Sequence, residues 1–228
     1  MGMKKIIRIW DLPIRLFHWL LVICIIGSII SVNIGGNAIQ WHAYFGYCIL
    51  TLVIFRIVWG WVGSTHARFI HFIPSRARLL DYVRGRSSRT LGHNPLAAFS
   101  VLALLGVLLI QAITGLFADD EIAFQGPLAK HASEAVVSFL SSVHGANEGV
   151  IYGLIAVHLA AIFYYQKLKG ENLIRPMISG DKEIDPSEEA DYQPSDLGRP
   201  SRDGFMQRAF ALMLLSAIAV AVAYVINS

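Results

Sequence analysis

His144 and His158 stand fourteen residues apart in the fourth apolar segment of the chain. An imidazole can ligate a metal, carry a proton or hydrogen-bond, and spacing helps decide which. On a helix, fourteen positions return to nearly the same face, and at 1.5 Å per residue the rings lie roughly 21 Å apart along the axis. That is most of the ~30 Å hydrocarbon core of a bilayer. One helix would offer a nitrogen ligand near each membrane surface. His18, in the first apolar segment, and His42, at the start of the second, could complete two pairs. Two bis-histidine haems stacked across a membrane would need this arrangement.

The elements that must hold these side chains follow from composition. The chain has 228 residues, 55% hydrophobic and 15% charged, with mean hydropathy +0.53. A soluble domain carries about 25% charged residues, so a soluble protein is excluded. No Lys, Arg, Asp or Glu occurs between Arg15 and Arg56, and further charge-free runs cover 90–118, 149–166 and 209–228. A membrane helix needs about 20 mostly apolar residues. The first run holds two helices, broken at Asn33-Ile34-Gly35-Gly36-Asn37 by turn residues. Spans are expected near 14–32, 42–62, 97–117, 146–166 and 209–226. The first reads as an uncleaved anchor, because its apolar core is too long for a signal peptide and no clean cleavage site follows.

The predicted fold is an all-α integral membrane protein, with a four-helix transmembrane bundle over residues 1–180. An acidic polar linker at 181–207 and one additional C-terminal transmembrane helix at 208–228 follow. Asp181, Glu183, Asp185, Glu188, Glu189, Asp191, Asp196 and Asp203, with three prolines, predict a mobile linker. The last helix has small residues at Ala217/Ala221 and Ala219/Ala223. This spacing suits close helix association, as in a homodimer, as well as it suits a lipid-facing anchor.

Basic residues alternate between loops. The N-terminus carries Lys4, Lys5, Arg8 and Arg15, and the second loop carries Arg68, Arg76, Arg78, Arg84, Arg86 and Arg89. The first loop has none, and the third has one Lys beside Asp119, Asp120, Glu121 and Glu134. The N-terminus and second loop are therefore expected in the cytoplasm, and the C-terminus outside. A pI near 8.9 reflects this bias and gives no reason to expect nucleic acid.

The same topology pairs the histidines. His18 and His158 fall at the inner depth, His42 and His144 at the outer, each pair joining two helices. Neutral imidazole is the ligand form, and the other ring N–H requires an acceptor. The alternatives are interhelical hydrogen bonds or a divalent metal such as zinc, though one four-histidine site is opposed by the depth separation. His66, His71, His93 and His131 fall in loops and read as solvated.

Arg56, fourteen residues beyond His42, shares its face roughly 21 Å deeper. It could pair with a haem propionate, or snorkel to headgroups. Arg15, near His18, has the same two readings. Gly46, one turn after His42, would let a porphyrin edge approach the backbone, although glycine is common in membrane helices. Trp10, Trp19, Trp41, Trp59 and Trp61 cluster near span ends, as an aromatic belt does. Cys24 and Cys48 lie inside spans, and no Cys-x-x-Cys-His occurs, which excludes c-type haem attachment. No Walker loop, dinucleotide fingerprint or nucleophile–base constellation is present.

Several stretches together resemble the bacterial cytochrome b561 family, which includes the b-type cytochrome subunits of nickel–iron hydrogenases. They are WDLPIRLFHW (10–19), WHAYFGY (41–47), FRIVWGWVGS (55–64), LGHNP (91–95), LLIQAITGLF (108–117), HGANEGVIYGLIAVH (144–158) and ENLIRPMISG (171–180). The resemblance spans about 8–182 and implies two non-covalent b haems, with His18, His42, His144 and His158 as axial ligands. Many relatives have Glu after the first helix-4 histidine, whereas Gly145 follows His144 here.

The resemblance also implies a multi-pass protein of the bacterial cytoplasmic (inner) membrane. Its expected function is respiratory electron transfer between quinone or quinol and a partner protein, either a c-type cytochrome or a hydrogenase or dehydrogenase subunit. Two other readings stay open: a haem-containing anchor for a hydrogenase or other dehydrogenase, and a quinone reductase using superoxide or ferric ion. A transporter is the weaker reading.

Overall fold

The computed structural model describes residues 4–86, 89–121, 124–192 and 197–228. In chain order its elements are β1 (Lys5–Arg8), α1 (Leu12–Ile34), α2 (Ile39–Val62), α3 (Phe69–Phe72), α4 (Arg76–Val83) and α5 (Pro95–Gly115). Then come α6 (Glu134–Leu168), α7 (Ile174–Ser179), β2 (Asp181–Ile184) and α8 (Phe205–Asn227). Among the described residues α1, α2, α5, α6 and α8 are long and apolar enough to cross a membrane. The fold is all-α and multi-pass, as the charge-free runs imply.

Local chemistry starts these helices where they start. Asp11 Oδ1 accepts from the Ile14 N–H at 2.8 Å and caps α1. Asn94 Oδ1 accepts from the Ala97 N–H at 2.8 Å, and Pro95, which has no N–H to lose, opens α5. Gly35 and Gly36 take φ of 67° and 54°, so the chain turns between α1 and α2 where side-chained residues would be strained. The spanning helices leave large apolar side chains outward: Ile23, Ile26 and Ile30 on α1, and Val157, Leu159 and Phe163 on α6. Such continuous apolar surface is what lipid covers. α2 is the exception, with 44% of its span window buried against 11–17% for the others.

Contacts divide the chain into two compact units. One comprises Met1–Leu16, Val58–Leu102 and Val157–Ala211, the other Phe17–Ile57, Ala103–Ala156 and Leu212–Ser228.

In the first unit, β1 pairs antiparallel with β2, from Lys5 opposite Ile184 to Arg8 opposite Asp181. The segment expected to be a mobile acidic linker is therefore held in place over most of its described length. Ser201 N–H donates to the Arg8 carbonyl at 2.8 Å, and Ser201 Oγ donates to the Ile9 carbonyl at 2.5 Å. Most of the described acidic residues are countercharges. Asp181 takes a two-pronged bond from Arg8 at 2.6 and 3.0 Å, Glu183 meets Arg175 at 2.6 Å, and Glu189 pairs with Lys5. Asp196 lies outside the described residues.

Asp203 collects the most cations. It accepts from Arg8 at 2.7 Å, from Arg208 at 3.0 and 3.1 Å and from the Leu12 N–H at 3.1 Å, with Arg15 at 3.8 Å. Burial opposes its ionisation, but the bonds from Arg208, Leu12 and Arg8 outweigh that and hold its carboxyl below the usual range. The hydrogen bond to Asp181, helped by Asp203 and opposed by burial, raises the Arg8 pKa.

Two tryptophans depart from the aromatic-belt expectation. Trp59 is 0% exposed and donates from Nε1 to Asp11 Oδ2 at 3.0 Å, so the residue that caps α1 also ties it to the end of α2. Trp10 is buried and packs on His93, ring centroids 4.8 Å apart. Trp19, Trp41 and Trp61 remain exposed, as a belt requires. His93 is likewise no solvated loop residue, since Phe72 packs against its ring at 4.6 Å.

Candidate functional site

The second unit holds one of the two expected histidine pairs. His42 on α2 and His144 on α6 have ring centroids 6.1 Å apart, with planes at 86°. A metal taking one nitrogen from each ring, at about 2 Å per bond and about 1 Å from nitrogen to ring centre, puts the centroids about 6 Å apart. The spacing fits a shared ligand atom and is too long for a ring–ring hydrogen bond to explain.

Hydrogen bonds set the tautomers. His42 Nδ1 lies 3.1 Å from the Ser28 carbonyl oxygen, which can only accept, so Nδ1 carries the proton. Ser28 Oγ is 3.0 Å from the same nitrogen. His144 Nδ1 is 3.0 Å from the Gln111 carbonyl and therefore also donates, with Thr114 Oγ1 at 3.2 Å. In the neutral imidazole this leaves the lone pair on Nε2, the form that ligates a metal, oriented by a carbonyl acceptor behind it. Gln111 Nε2 donates to His144 Nε2 at 3.2 Å, and Asn147 Nδ2 fixes that amide through Gln111 Oε1 at 2.9 Å. The lone pair is available and is held by a weak, replaceable donor.

The histidines open on a cavity of about 370 Å³ within this unit, walled by α1, α2, α5 and α6. Ile25, Ile29, Leu108 and Ile151 supply apolar wall, while Asp119 and Glu148 add polar groups. A Cβ at Gly46 would meet nothing within 4 Å, and the same holds at Gly145; both line the cavity. These are open faces that a flat macrocycle can lie against. At Gly115 the logic reverses. A Cβ there would sit 2.9 Å from His144 Cε1, so only glycine lets that ring take its position. Paired neutral imidazoles, backbone acceptors behind them and an apolar cavity beside them fit a bis-histidine haem.

The remaining expected residues fall as follows. His144 is not at a helix end: α6 begins at Glu134, well before the expected span, because a helix can continue beyond the hydrocarbon core that hydropathy detects. His18 is half-buried on α1, with its ring edge-on to Trp19 at 5.1 Å. His158 is half-buried on α6. These two belong to different units. Arg56 is 3% exposed, so its charge is enclosed by protein and does not snorkel along the lipid face. Arg15 donates to the Ile178 carbonyl at 2.6 Å and faces Asp203 at 3.8 Å.

Sequence reasoning missed Ser28, Gln111, Thr114, Gly115 and Asn147. A signal existed: Gln111, Thr114 and Gly115 recur at helical spacing inside an apolar span, where polar side chains generally have work to do.

A spanning bundle that presents paired imidazoles to an interior apolar cavity defines a membrane haem protein of the b type, since nothing here can attach the group covalently. The family of prokaryotic cytochrome b561 matches residues 9–180, and the chain belongs to it. Among similar proteins is the "Probable Ni/Fe-hydrogenase B-type cytochrome subunit" of Rhizobium leguminosarum bv. viciae, 22% identical over 78% of this chain and 90% of its own length. Proteins of the same description from Cupriavidus necator and Rhodobacter capsulatus are each 24% identical. They cover 77% and 76% of this chain, and 86% and 80% of their own lengths.

Proposed function

We propose that this chain is the haem-bearing membrane subunit of a respiratory redox complex. It carries electrons between a peripheral enzyme, of the Ni/Fe-hydrogenase type for which its relatives are named, and quinone in the bilayer. The observation that carries this reading is the His42–His144 pair, with lone pairs preserved on Nε2 and a cavity beside it. Haem b supplies the one-electron iron couple when bound. The chain's part is to ligate, orient and enclose. The Ser28 and Gln111 carbonyls hold the ring protons on Nδ1 and keep the ligands basic. The apolar wall lowers the dielectric around the site.

A second haem would be held by His18 and His158, at the other depth of the membrane, and Arg56 would pair with one of its propionates. The N-terminus would face the cytoplasm in the inner membrane, with the His42–His144 site toward the outside. The test is haem per polypeptide on the full chain in detergent, by pyridine haemochrome assay. Two b haems per chain are expected, falling to one in His144→Ala. A folded preparation that binds no haem would overturn the reading.

A further inference from the structure

In the first unit a second, smaller cavity of about 70 Å³ is walled by Arg78, Arg199, His66, His71, His93, Thr65 and Thr90, with Phe72 and Gly92. Among the described residues no carboxylate lines it. The Arg78 and Arg199 side chains have no ion-pair partner among the described residues, whereas Arg8, Arg15, Arg175 and Arg208 do. His66 Nε2 lies 3.1 Å from the Arg199 carbonyl and so must donate to it, which fastens the Arg199 segment to the cavity wall.

Size and chemistry narrow the occupant. The volume exceeds the roughly 10–15 Å³ that one water needs, and it is far below the ~300 Å³ where pockets for whole small molecules begin. The described residues contain no group of three or more His, Cys, Asp or Glu side chains able to hold a metal ion. A described wall with two arginines, histidines and threonines and no carboxylate selects a small oxyanion, and Arg favours phosphate through its paired N–H groups. Position along the chain supplies the source. Thr65 and His66 follow the end of α2, His93 precedes the start of α5, and Arg199 precedes the start of α8. The cavity is thus built from residues that adjoin the ends of three apolar helices long enough to span, and headgroups lie at the ends of such helices. Basic pockets at such ends bind anionic headgroups.

We infer that this cavity binds a phosphate group, presented by an anionic membrane phospholipid. The inference is independent of the haem reading, because its readout is lipid and not haem.

The test is native mass spectrometry of the full chain as purified in detergent, titrated with phosphatidylglycerol or phosphatidylcholine. Inorganic phosphate serves as a separate ligand and competitor. Retention of one phosphatidylglycerol in preference to phosphatidylcholine is expected. Each of Arg78→Gln and Arg199→Gln should weaken it roughly 5-fold, and the double variant about 25-fold. Arg76→Gln, on the same helix but outside the cavity, should leave it unchanged. Saturable inorganic phosphate without lipid preference would keep the oxyanion site and overturn the lipid as its source. Equal binding of both lipids with no phosphate binding, or equal loss in Arg76→Gln, would overturn the inference altogether.

Discussion

The His42 and His144 ring centroids stand 6.1 Å apart, and each ring gives its Nδ1 proton to a backbone carbonyl on a neighbouring helix, that of Ser28 or Gln111. Backbone acceptors cannot be mutated away or retitrated. They hold the ligand tautomer through any side-chain change that leaves the helices in register.

That geometry predicts how haem loss should divide. His42→Ala and His144→Ala should each remove the same haem and leave the other, halving haem content. His18→Ala and His158→Ala should each remove the second. Reduced-minus-oxidised spectra of the four variants would check this, and loss of both haems from any folded single variant would contradict the pairing.

Two glycines make opposite demands on the site. Gly115→Ala brings a methyl group to 2.9 Å from His144 Cε1, so the ring must move off its acceptor. Haem affinity should fall about 10- to 100-fold, the usual cost of disturbing a ligand's support. A Cβ at Gly46 meets no neighbour within 4 Å, and in Gly46→Phe the ring would extend from it into the cavity, so the fold should survive while haem is excluded. Haem titration paired with thermal unfolding of the apoprotein separates the two effects.

Trp59→Phe keeps the ring and removes the donor to Asp11 Oδ2. It leaves a buried carboxylate oxygen short of a partner, which costs about 1–3 kcal/mol. The variant should unfold at lower temperature with its haem content unchanged when measured below that transition.

Asp203→Asn should loosen the attachment of α8 to the N-terminal segment, because Arg8 and Arg208 both lose a charged acceptor. The same residue gives a pH dependence. Its carboxyl is held below the usual range in the fold, so its contribution is complete above the unfolded value of about 4. The contribution is lost as pH falls through the depressed folded value. Thermal stability measured from pH 7 to 3 should decline at the acid end, and the decline should be shallower in Asp203→Asn.

Much of this protein was legible in the chain itself. The five spans, their breaks and the four histidines were read from charge-free runs, turn residues and helical spacing, because lipid imposes length and apolarity on a helix whatever its neighbours are. What hydropathy could not register was anything depending on a partner remote in sequence. The acidic residues after Gly180 look like a mobile tether until Lys5, Arg8 and Arg175 are set beside them, and then Asp181, Glu183 and Glu189 become ion-pair partners. Trp59 looks like a belt residue until Asp11 is found against its indole. Ser28, Gln111 and Gly115 matter only because folding brings them to His42 and His144. Composition and period act within one segment and survive without a fold, while acceptors, countercharges and close approaches exist only between segments, and packing alone creates them.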